Sequence, residues 1–250
     1  MQDIPRSHPR YLSLQTRNTI SQAMKAGIVH ETGLIAHGRG EAFDYLIEEK
    51  TQTFAEAAIE VTSAAFITAL NPVISINGNV AALVAEDCIK LSELIPAKLE
   101  VNLFHRTKER IKKITDIFLE KGAKKIYGQN AKSKIPGLDH NRALCDEEGI
   151  YSADVVLVPL EDGDRCQALR KMDKTVIAID LNPLSRTSHS ANITIVDNVI
   201  RAIPNLIQRI ENDENESKKE LQKKLETWDN IKNLHRTVEF ISKRLNLQFK

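Results

Sequence analysis

The sequence predicts an α/β fold: a Rossmann-like, mostly parallel sheet with flanking helices, a helical N-terminal region and a long C-terminal helix. Between about residues 71 and 210, short apolar segments rich in Val and Ile alternate with amphipathic segments. Apolar runs of about four to six residues are typical of strands that are buried on both faces. Alternation of such strands with helices builds βαβ units, and therefore a parallel sheet covered by helices.

Turn residues and helix breakers set the limits of the elements. The predicted strands are the short segments 73–76, 99–104, 125–127, 154–158, 175–179 and 193–196, of which 154–158 is rich in β-branched residues. The predicted helices carry apolar residues at helical spacing and cover residues 10–26, 42–47, 53–70, 80–94, 107–121, 139–148, 164–172 and 200–209. Residues 34–41 are predicted to form a polar turn between two structured pieces.

The elements divide into three parts of one compact domain. A helical region over residues 1–70 packs on a nucleotide-binding core over residues 71–210, and a helical extension covers residues 211–250. In the extension, apolar residues recur at threes and fours: Leu221, Leu225, Trp228, Ile231, Leu234, Val238, Ile241 and Leu245. This seam either packs on the chain's own core or forms a dimer contact.

Composition limits the classes of partner. The net charge is +1, so neither a nucleic acid nor a membrane surface is an expected partner. No apolar run reaches the ~18 residues of a membrane span, and the N-terminus lacks the apolar segment of a signal peptide. The three cysteines are scattered and fit neither a disulfide framework nor a zinc motif, which favours a cytoplasmic location.

Polar residues follow each predicted strand, where ligands of open α/β sheets bind. These positions are 77–79, 105–106, 128–130, 161–165, 180–182 and 197–198. In the first group, Gly78 permits close backbone approach and the amides at a helix start suit an anion. The alternative is an ordinary turn in which Asn77 or Asn79 serves as an N-cap.

The segment 180–187 also follows a buried strand. Asp180 is placed to accept from ribose hydroxyls, Arg186 offers a bidentate fork for phosphate, and Thr187 adds a donor. The alternative is a loop with an Asx turn and a solvated arginine.

Residues 37–41 place an imidazole and a guanidinium among glycines. His37 is either a base or a structural residue, and Arg39 is the better candidate as a phosphate clamp. The segment lacks the third glycine and the preceding strand of a dinucleotide fingerprint.

Other motifs are missing from the sequence. There is no P-loop, no GxSxG, no HExxH and no histidine spacing for a metal, so no protein-built metal site is expected. The acidic cluster 161–164 could hold Mg²⁺ near phosphates, but a solvated turn with a helix cap is the favoured interpretation.

Five segments together resemble the archaeal 4-phosphopantoate–β-alanine ligases. They are residues 4–11, 33–46, 71–79, 101–106 and 179–187, and the match runs in the same order to about residue 210. The resemblance implies a Rossmann-like homodimer that condenses 4-phosphopantoate with β-alanine, using ATP and Mg²⁺ and releasing AMP and diphosphate. By motif position it implies ATP contacts by Arg17, Arg39, Asp180, Leu181, Asn182, Arg186, Thr187, Asn198 and Val199.

A mechanism that fits this reaction passes through an acyl adenylate, in which positioning and charge neutralisation carry most of the rate. Arg39 and Arg186 are predicted to stabilise the triphosphate charge, with His37 a further catalytic candidate. From their place on the rim, the predicted ligands of 4-phosphopantoate are Asn77, Gly78, Asn79, His105 and Arg106. Two alternatives remain: a non-catalytic nucleotide-binding regulator, and a ligase with another acceptor.

Overall fold

A computed structural model describes residues 4–247 of the chain. Its strands are β1 (Pro72–Ile76), β2 (Lys98–Val101), β3 (Ile126–Tyr127), β4 (Ser133–Lys134), β5 (Leu144–Cys145), β6 (Val155–Pro159), β7 (Thr175–Ile179) and β8 (Ile193–Ile195). Its α-helices are α1 (Tyr11–Lys25), α2 (Glu31–Leu46), α3 (Thr53–Thr68), α4 (Gly78–Leu83), α5 (Ala85–Leu94), α6 (Lys108–Glu120), α7 (Gly163–Arg170), α8 (Arg186–Ser190), α9 (Val199–Asp213), α10 (Lys218–Thr227) and α11 (Asn230–Leu247).

Six strands form one sheet in the order β3-β2-β1-β6-β7-β8, and every neighbouring pair is parallel. The short strands β4 and β5 pair antiparallel outside it. The strand order reverses between β1 and β6, so the carboxyl ends of these two strands flank the crevice in which such sheets bind ligands. The predicted fold class is confirmed.

Apolar side chains fill both faces of the sheet. On one face Ile74, Leu157 and Ile177 join a large core cluster that also contains residues of α3, α5 and α9. On the other face Val73 and Val156 pack with a smaller cluster that includes residues of α7. Burial on both faces explains why the strands are continuous apolar runs rather than alternating ones. Within residues 4–247, no helix combines the length and the apolar character needed to cross a bilayer.

The predicted turn over residues 34–41 is wrong, because α2 continues through it from Glu31 to Leu46. His30 begins the helix as N-cap, and its side chain accepts from the Thr32 amide. A Cβ at Gly33 would lie 2.8 Å from Asn79 Oδ1, which is too close, and Gly40 faces Leu181, whose Cδ1 would lie 3.4 Å from a Cβ there. The two glycines serve close packing of a helix on the sheet edge, a tertiary role that outweighs their low helix propensity.

The predicted helix over residues 139–148 is also wrong. This segment contains a single 3₁₀ turn at Asn141–Ala143, then β5, then a turn. Buried contacts hold it in this form: Asn102 Nδ2 donates to the carbonyls of Arg142 and Leu144, at 3.2 and 3.0 Å. Each of these carbonyls is therefore satisfied from outside the segment, so a local helix is not needed.

Two predicted continuous stretches are divided. The helix predicted over residues 80–94 breaks at Val84, whose φ of −140° separates α4 from α5. The C-terminal seam breaks at Trp228, whose ψ of 133° separates α10 from α11. Leu221 and Leu234 of the seam are buried. Its remaining members divide between partial burial on the large core cluster, at Leu225, Trp228 and Ile241, and exposure, at Ile231, Val238 and Leu245.

Glu100 anchors the segment after β3 to the sheet. Its buried carboxylate accepts from the amides of Asp146 and Ile150, at 3.0 and 2.6 Å. Burial raises the pKa of Glu100 to about 7, against the opposing effect of these two hydrogen bonds. Asp146 in turn accepts from the amide of Gly128, which therefore lies where β2 and this segment meet.

An alanine at position 128 tests the close approach at that junction. Gly128 has a φ of +102°, and a Cβ there would lie 2.2 Å from the Val101 carbonyl oxygen. We expect Gly128→Ala to lower the free energy of unfolding by about 1–3 kcal/mol. Gly122→Ala is the matched control, because Gly122 has a φ of +100° with nothing within 4 Å of its Cβ position. Equal losses in urea unfolding of the two variants would show that the Val101 contact contributes nothing.

Glu100 makes the free energy of unfolding decrease as the pH rises. Its folded pKa lies above the ordinary value of 4.5, so the folded state holds a proton that the unfolded state releases. Stability therefore falls as the pH rises from about 4.5 to about 7, and the loss is complete above that range. We expect Glu100→Gln to be less stable throughout, because one amide loses its acceptor, but to lack this slope.

Urea unfolding at several pH values from 5 to 8 measures the effect. The difference between wild type and Glu100→Gln should shrink by on the order of 1–3 kcal/mol as the pH rises. Parallel stability curves for the two proteins would contradict the assignment of the slope to Glu100.

Candidate active site

Asn77 joins the two strands at the point where the strand order reverses. Its side-chain oxygen accepts from the Val80 amide as N-cap of α4, at 3.1 Å. Its Nδ2 donates to the carbonyl of Pro159 at the end of β6, at 2.8 Å. One side chain therefore satisfies a helix start and a strand end, and fixes the width of the crevice between them.

A pocket of about 160 Å³ lies beside this junction. Its walls come from the start of α2, from residues 77–79, from the loop after β2 and from α6. Gly78 is required here, because a Cβ would lie 2.5 Å from the Ile28 carbonyl oxygen. The buried Asn79 donates to the Gly33 carbonyl at 3.1 Å and holds α2 against α4.

Two histidines stack at the mouth of this pocket. The rings of His30 and His105 lie 3.7 Å apart and nearly parallel. Desolvation lowers the pKa of His105, and the neighbouring His30 and Arg110 lower it further. Near neutral pH this imidazole is therefore mostly neutral when no anion is bound.

Arg106, which precedes α6, and Arg110, in its first turn, have different surroundings. Arg106 donates to the Gly128 carbonyl and does not line the pocket. Arg110 lines the pocket and donates to the carbonyls of His105 and Ile28. The substrate role of Arg106 stays a prediction, and sequence reasoning missed Arg110 because it lies inside α6 rather than directly after a strand.

A second group of candidate residues lies at the ends of β7 and β6. Asp180 accepts from the Asn182 amide at 2.9 Å and from the Ser185 hydroxyl, so the expected Asx turn is present. Burial raises the pKa of Asp180, and the positive charge of the nearby Arg39 opposes this. Arg39 is exposed and, among residues 4–247, has no ion pair. Its guanidinium is thus available to an anion.

Arg186 and Thr187 begin α8 beside the loop after β6. The exposed guanidinium of Arg186 pairs with Asp164 at 2.5 Å. Thr187 is buried and donates to the Glu161 carbonyl at 2.8 Å. Gly163 makes this contact possible, because a Cβ there would lie 2.5 Å from the Cβ of Arg186.

Asn198 and Val199 follow β8 and start α9. Asn198 is the N-cap of α9 and donates to the buried Asp44 at 2.8 Å. Arg201 bridges Asp44 and Asp197, which are both buried, at 2.5 Å each. The side chains of Asn198, Asp44, Asp197 and Arg201 bind one another. A ligand would therefore contact the backbone here rather than the side-chain amide of Asn198.

Arg17 and His37 face each other across α1 and α2. Arg17 pairs with Glu41 at 2.7 Å, so its charge is offset by this carboxylate. Burial lowers the pKa of His37 despite the opposing charge of Glu41. His37 is therefore mainly neutral near pH 7 and able to accept a proton.

Helix α2 links the separate groups. Gly33 contacts Asn79, Gly40 contacts Leu181, and Asp44 binds Asn198. Spacings of seven and four residues place these three positions on one face of the helix. The structure thus brings the predicted residues to one edge of the sheet, with α2 lying across it.

A buried ionic cluster lies behind the pocket, and sequence reasoning did not identify it. Glu161 is almost fully buried between the guanidinium groups of Arg142 and Arg165. Asp162 accepts from the Arg165 amide at 2.9 Å as N-cap of α7, so the predicted cap is present. The expectation of a solvated turn is wrong for Glu161, because two buried arginines replace its water. The i,i+4 spacing of Glu161 and Arg165 was the available signal.

No group of three His, Cys, Asp or Glu side chains in the described part of the chain could hold a metal ion. Mg²⁺ commonly keeps several waters and binds through one or two carboxylates together with substrate phosphates. The exposed Asp164 beside Arg186 fits such a role. The donor set is therefore compatible with Mg²⁺ that arrives with a nucleotide.

Comparison with known proteins agrees with the resemblance in the five segments. Residues 54–244 match the family described as phosphopantothenate/pantothenate synthetase. A 4-phosphopantoate–β-alanine ligase of Thermococcus kodakarensis is 50% identical over 98% of this chain and 94% of its own length. The ligase of the same name from Methanosarcina mazei is 48% identical over 98% of this chain and 96% of its own length.

A third protein of this name, from Methanospirillum hungatei, is 53% identical over 81% of this chain and 83% of its own length. The match to the family covers most of the chain, and the identity to its members is high over nearly the full length. The chain therefore belongs to the phosphopantothenate/pantothenate synthetase family.

Proposed function

We propose that this protein is a 4-phosphopantoate–β-alanine ligase of coenzyme A biosynthesis. It condenses the carboxylate of 4-phosphopantoate with the amine of β-alanine and forms 4′-phosphopantothenate. The observation that carries the proposal is the roughly 50% identity to curated ligases of this name over nearly the whole chain. A cationic pocket and a second polar group on the same sheet edge support it, since the reaction needs two adjacent anionic substrates.

ATP binds, in this proposal, at the edge formed by β7 and β8. Asp180 and Asn182 orient the nucleoside, while Arg39 and Arg186 neutralise the triphosphate with Mg²⁺. The nucleotide also contacts the backbone of four further residues: Leu181, Thr187, Asn198 and Val199. Arg17, which Glu41 of α2 holds in place, contributes a guanidinium to the phosphates. The absence of a P-loop is no obstacle, because separate arginines and backbone amides supply the same donors.

4-Phosphopantoate binds in the pocket beside Asn77, Gly78, Asn79 and His105. Its carboxylate attacks the α-phosphorus of ATP, which forms an acyl adenylate and releases diphosphate. The neutral amine of β-alanine then attacks the carbonyl, and AMP leaves. Positioning of three substrates and neutralisation of phosphate charge supply the acceleration. In this proposal His37, whose pKa is lowered by burial, takes the proton that the attacking amine loses.

A substrate-omission assay tests the function. Purified protein is given ATP, Mg²⁺, 4-phosphopantoate and β-alanine, and AMP and 4′-phosphopantothenate are measured together. The proposal expects the two products in equal amounts only when all substrates are present. ATP binding without AMP formation would favour a nucleotide-binding regulator, and AMP formation with other amines in a panel would favour a different acceptor.

Substitution of Arg39 tests its proposed role in catalysis. Its free guanidinium lies near Asp180 and is available to the triphosphate. We expect Arg39→Ala to lower kcat/KM by about 100-fold, the usual effect of removing one transition-state charge donor. Arg236→Ala, an exposed arginine on α11, is the control and should change kcat/KM less than twofold. A loss below twofold for Arg39→Ala would exclude a transition-state role.

The protein is proposed to work as a homodimer in the cytoplasm. Its three cysteines are buried free thiols, which suits a reducing compartment. On α11, Ile231, Val238 and Leu245 are exposed at seven-residue spacing while Leu234 packs on the core. An apolar stripe with a heptad repeat can pack against the same stripe of a second subunit. We therefore propose α11 as the contact between the two subunits.

A charge in the middle of this stripe should separate the subunits. We expect Val238→Glu to be monomeric by light scattering at concentrations where the wild type is dimeric, because a carboxylate would be buried against a second apolar stripe. Arg236→Glu introduces the same residue on the same helix outside the stripe and should stay dimeric. A dimeric Val238→Glu protein would place the interface elsewhere.

A further inference from the structure

Within residues 4–247, no carboxylate forms an ion pair with Arg110. It is half-buried at the wall of the pocket, and its guanidinium donates to the carbonyls of His105 and Ile28, the latter at 2.9 Å. Its Nε is buried without a hydrogen-bond partner. Among the ion pairs of residues 4–247 none includes Arg110, and desolvation lowers its pKa. A half-buried cation with only backbone partners attracts an anion.

The stacked histidines adjoin the same charge. His105 supplies the carbonyl to which Arg110 donates, and its ring lies on the ring of His30. The Nδ1 of His30 is 2.9 Å from the Thr32 hydroxyl. The charge of Glu31, which is exposed on α2, opposes the lowering of the His105 pKa without outweighing it. Guanidinium and imidazoles thus face one cavity with little negative charge beside them.

Arg142 closes the inner wall of the cavity. It is 6% exposed, and two of its nitrogens are paired with Glu161 and Asp162. Its Nε is buried and has no hydrogen-bond partner in the described residues. The cavity volume of about 160 Å³ is smaller than the roughly 300–1,000 Å³ of pockets for drug-sized ligands. A small anion fits this space better than a nucleotide.

We propose that Arg110, His30 and His105 form the recognition site for a phosphate monoester. This inference rests on the proposed function and names the part of its acid substrate that binds here. A phosphate dianion accepts from the Arg110 guanidinium and from both imidazoles, and so balances the charge of Arg110. The acid's carboxylate then points along α2 towards Arg39 and Asp180, where the nucleotide lies.

This arrangement makes the site selective for the phosphorylated acid. Pantoate, which lacks the phosphate, would leave Arg110 buried beside a neutral hydroxyl. A site built for a charged group rejects the analogue without it, by about 100-fold or more. Selectivity against pantoate therefore depends on Arg110 and the histidines and not on the residues around ATP.

Equilibrium binding without ATP tests the assignment apart from turnover. Isothermal titration measures the affinities of 4-phosphopantoate, pantoate and inorganic phosphate for the wild type, Arg110→Gln and His105→Asn. We expect each variant to weaken 4-phosphopantoate binding by about 10-fold or more, the result of losing one charge-assisted contact, with little change for pantoate. His105→Asn keeps the backbone carbonyl that Arg110 uses, so it separates recognition from folding.

Lys112→Gln is the control, because Lys112 is an exposed cation on the same helix. Equal weakening of both acids in His105→Asn, or unchanged selectivity in Arg110→Gln, would overturn the inference. If the wild type forms AMP and product yet the variants keep their selectivity, this site alone is wrong. If the wild type binds 4-phosphopantoate selectively, loses this in the variants and forms no AMP, the anion site stands and the ligase proposal fails.

Discussion

The reversal of strand order between β1 and β6 is the constraint on which the site depends. At that point two parallel strands end side by side, and their last carbonyls and the next helix start all need partners. The side-chain amide of Asn77 satisfies both needs, because it accepts from an amide at the helix start and donates to the carbonyl at the end of β6. Gly78 then lets the Ile28 carbonyl approach to a distance that no side chain would permit. The crevice, the pocket and the position of α1 and α2 follow from these two residues.

Buried charge gives the pocket its rear wall. Glu161 lies between Arg142 and Arg165, and Arg165 also lies 3.3 Å from the Ser75 hydroxyl of β1. Such a cluster contributes less to stability than its Coulomb attraction suggests, because desolvation opposes it. The cluster joins the loop after β6 to α7 and to the segment before β5, since Glu161 pairs with an arginine from each. The same cluster brings Arg142, from a segment far along the chain, to the pocket.

The sheet and most helices could be predicted because burial on both faces leaves a plain apolar pattern. The failures are at places where a tertiary contact outweighs the local signal. Glycines in α2 indicated a turn, yet they are there for contact with Asn79 and Leu181. Val84 and Trp228 divide helices whose apolar periodicity is continuous, and periodicity alone carries no information on backbone breaks.

For the site, position after a strand was informative, since parallel strands place their carboxyl ends together. Asn77, Asp180 and Asn198 were found in this way, and their geometry agrees with it. Arg110 and Arg142 were not, because one lies within α6 and the other in the segment before β5. Only the three-dimensional fold shows that their charges face the same cavity.

In the proposed function, helix α2 touches the acid pocket near Gly33 and the nucleotide site near Gly40 and Asp44. A ligand that shifts one end of a straight helix shifts the other end too. The free energies of binding of the two substrates are then linked, and by thermodynamic necessity the linkage is reciprocal. Under the proposed function, we expect substrate binding to be cooperative, because one uninterrupted helix spans both sites at positions where the sequence alone indicated a turn.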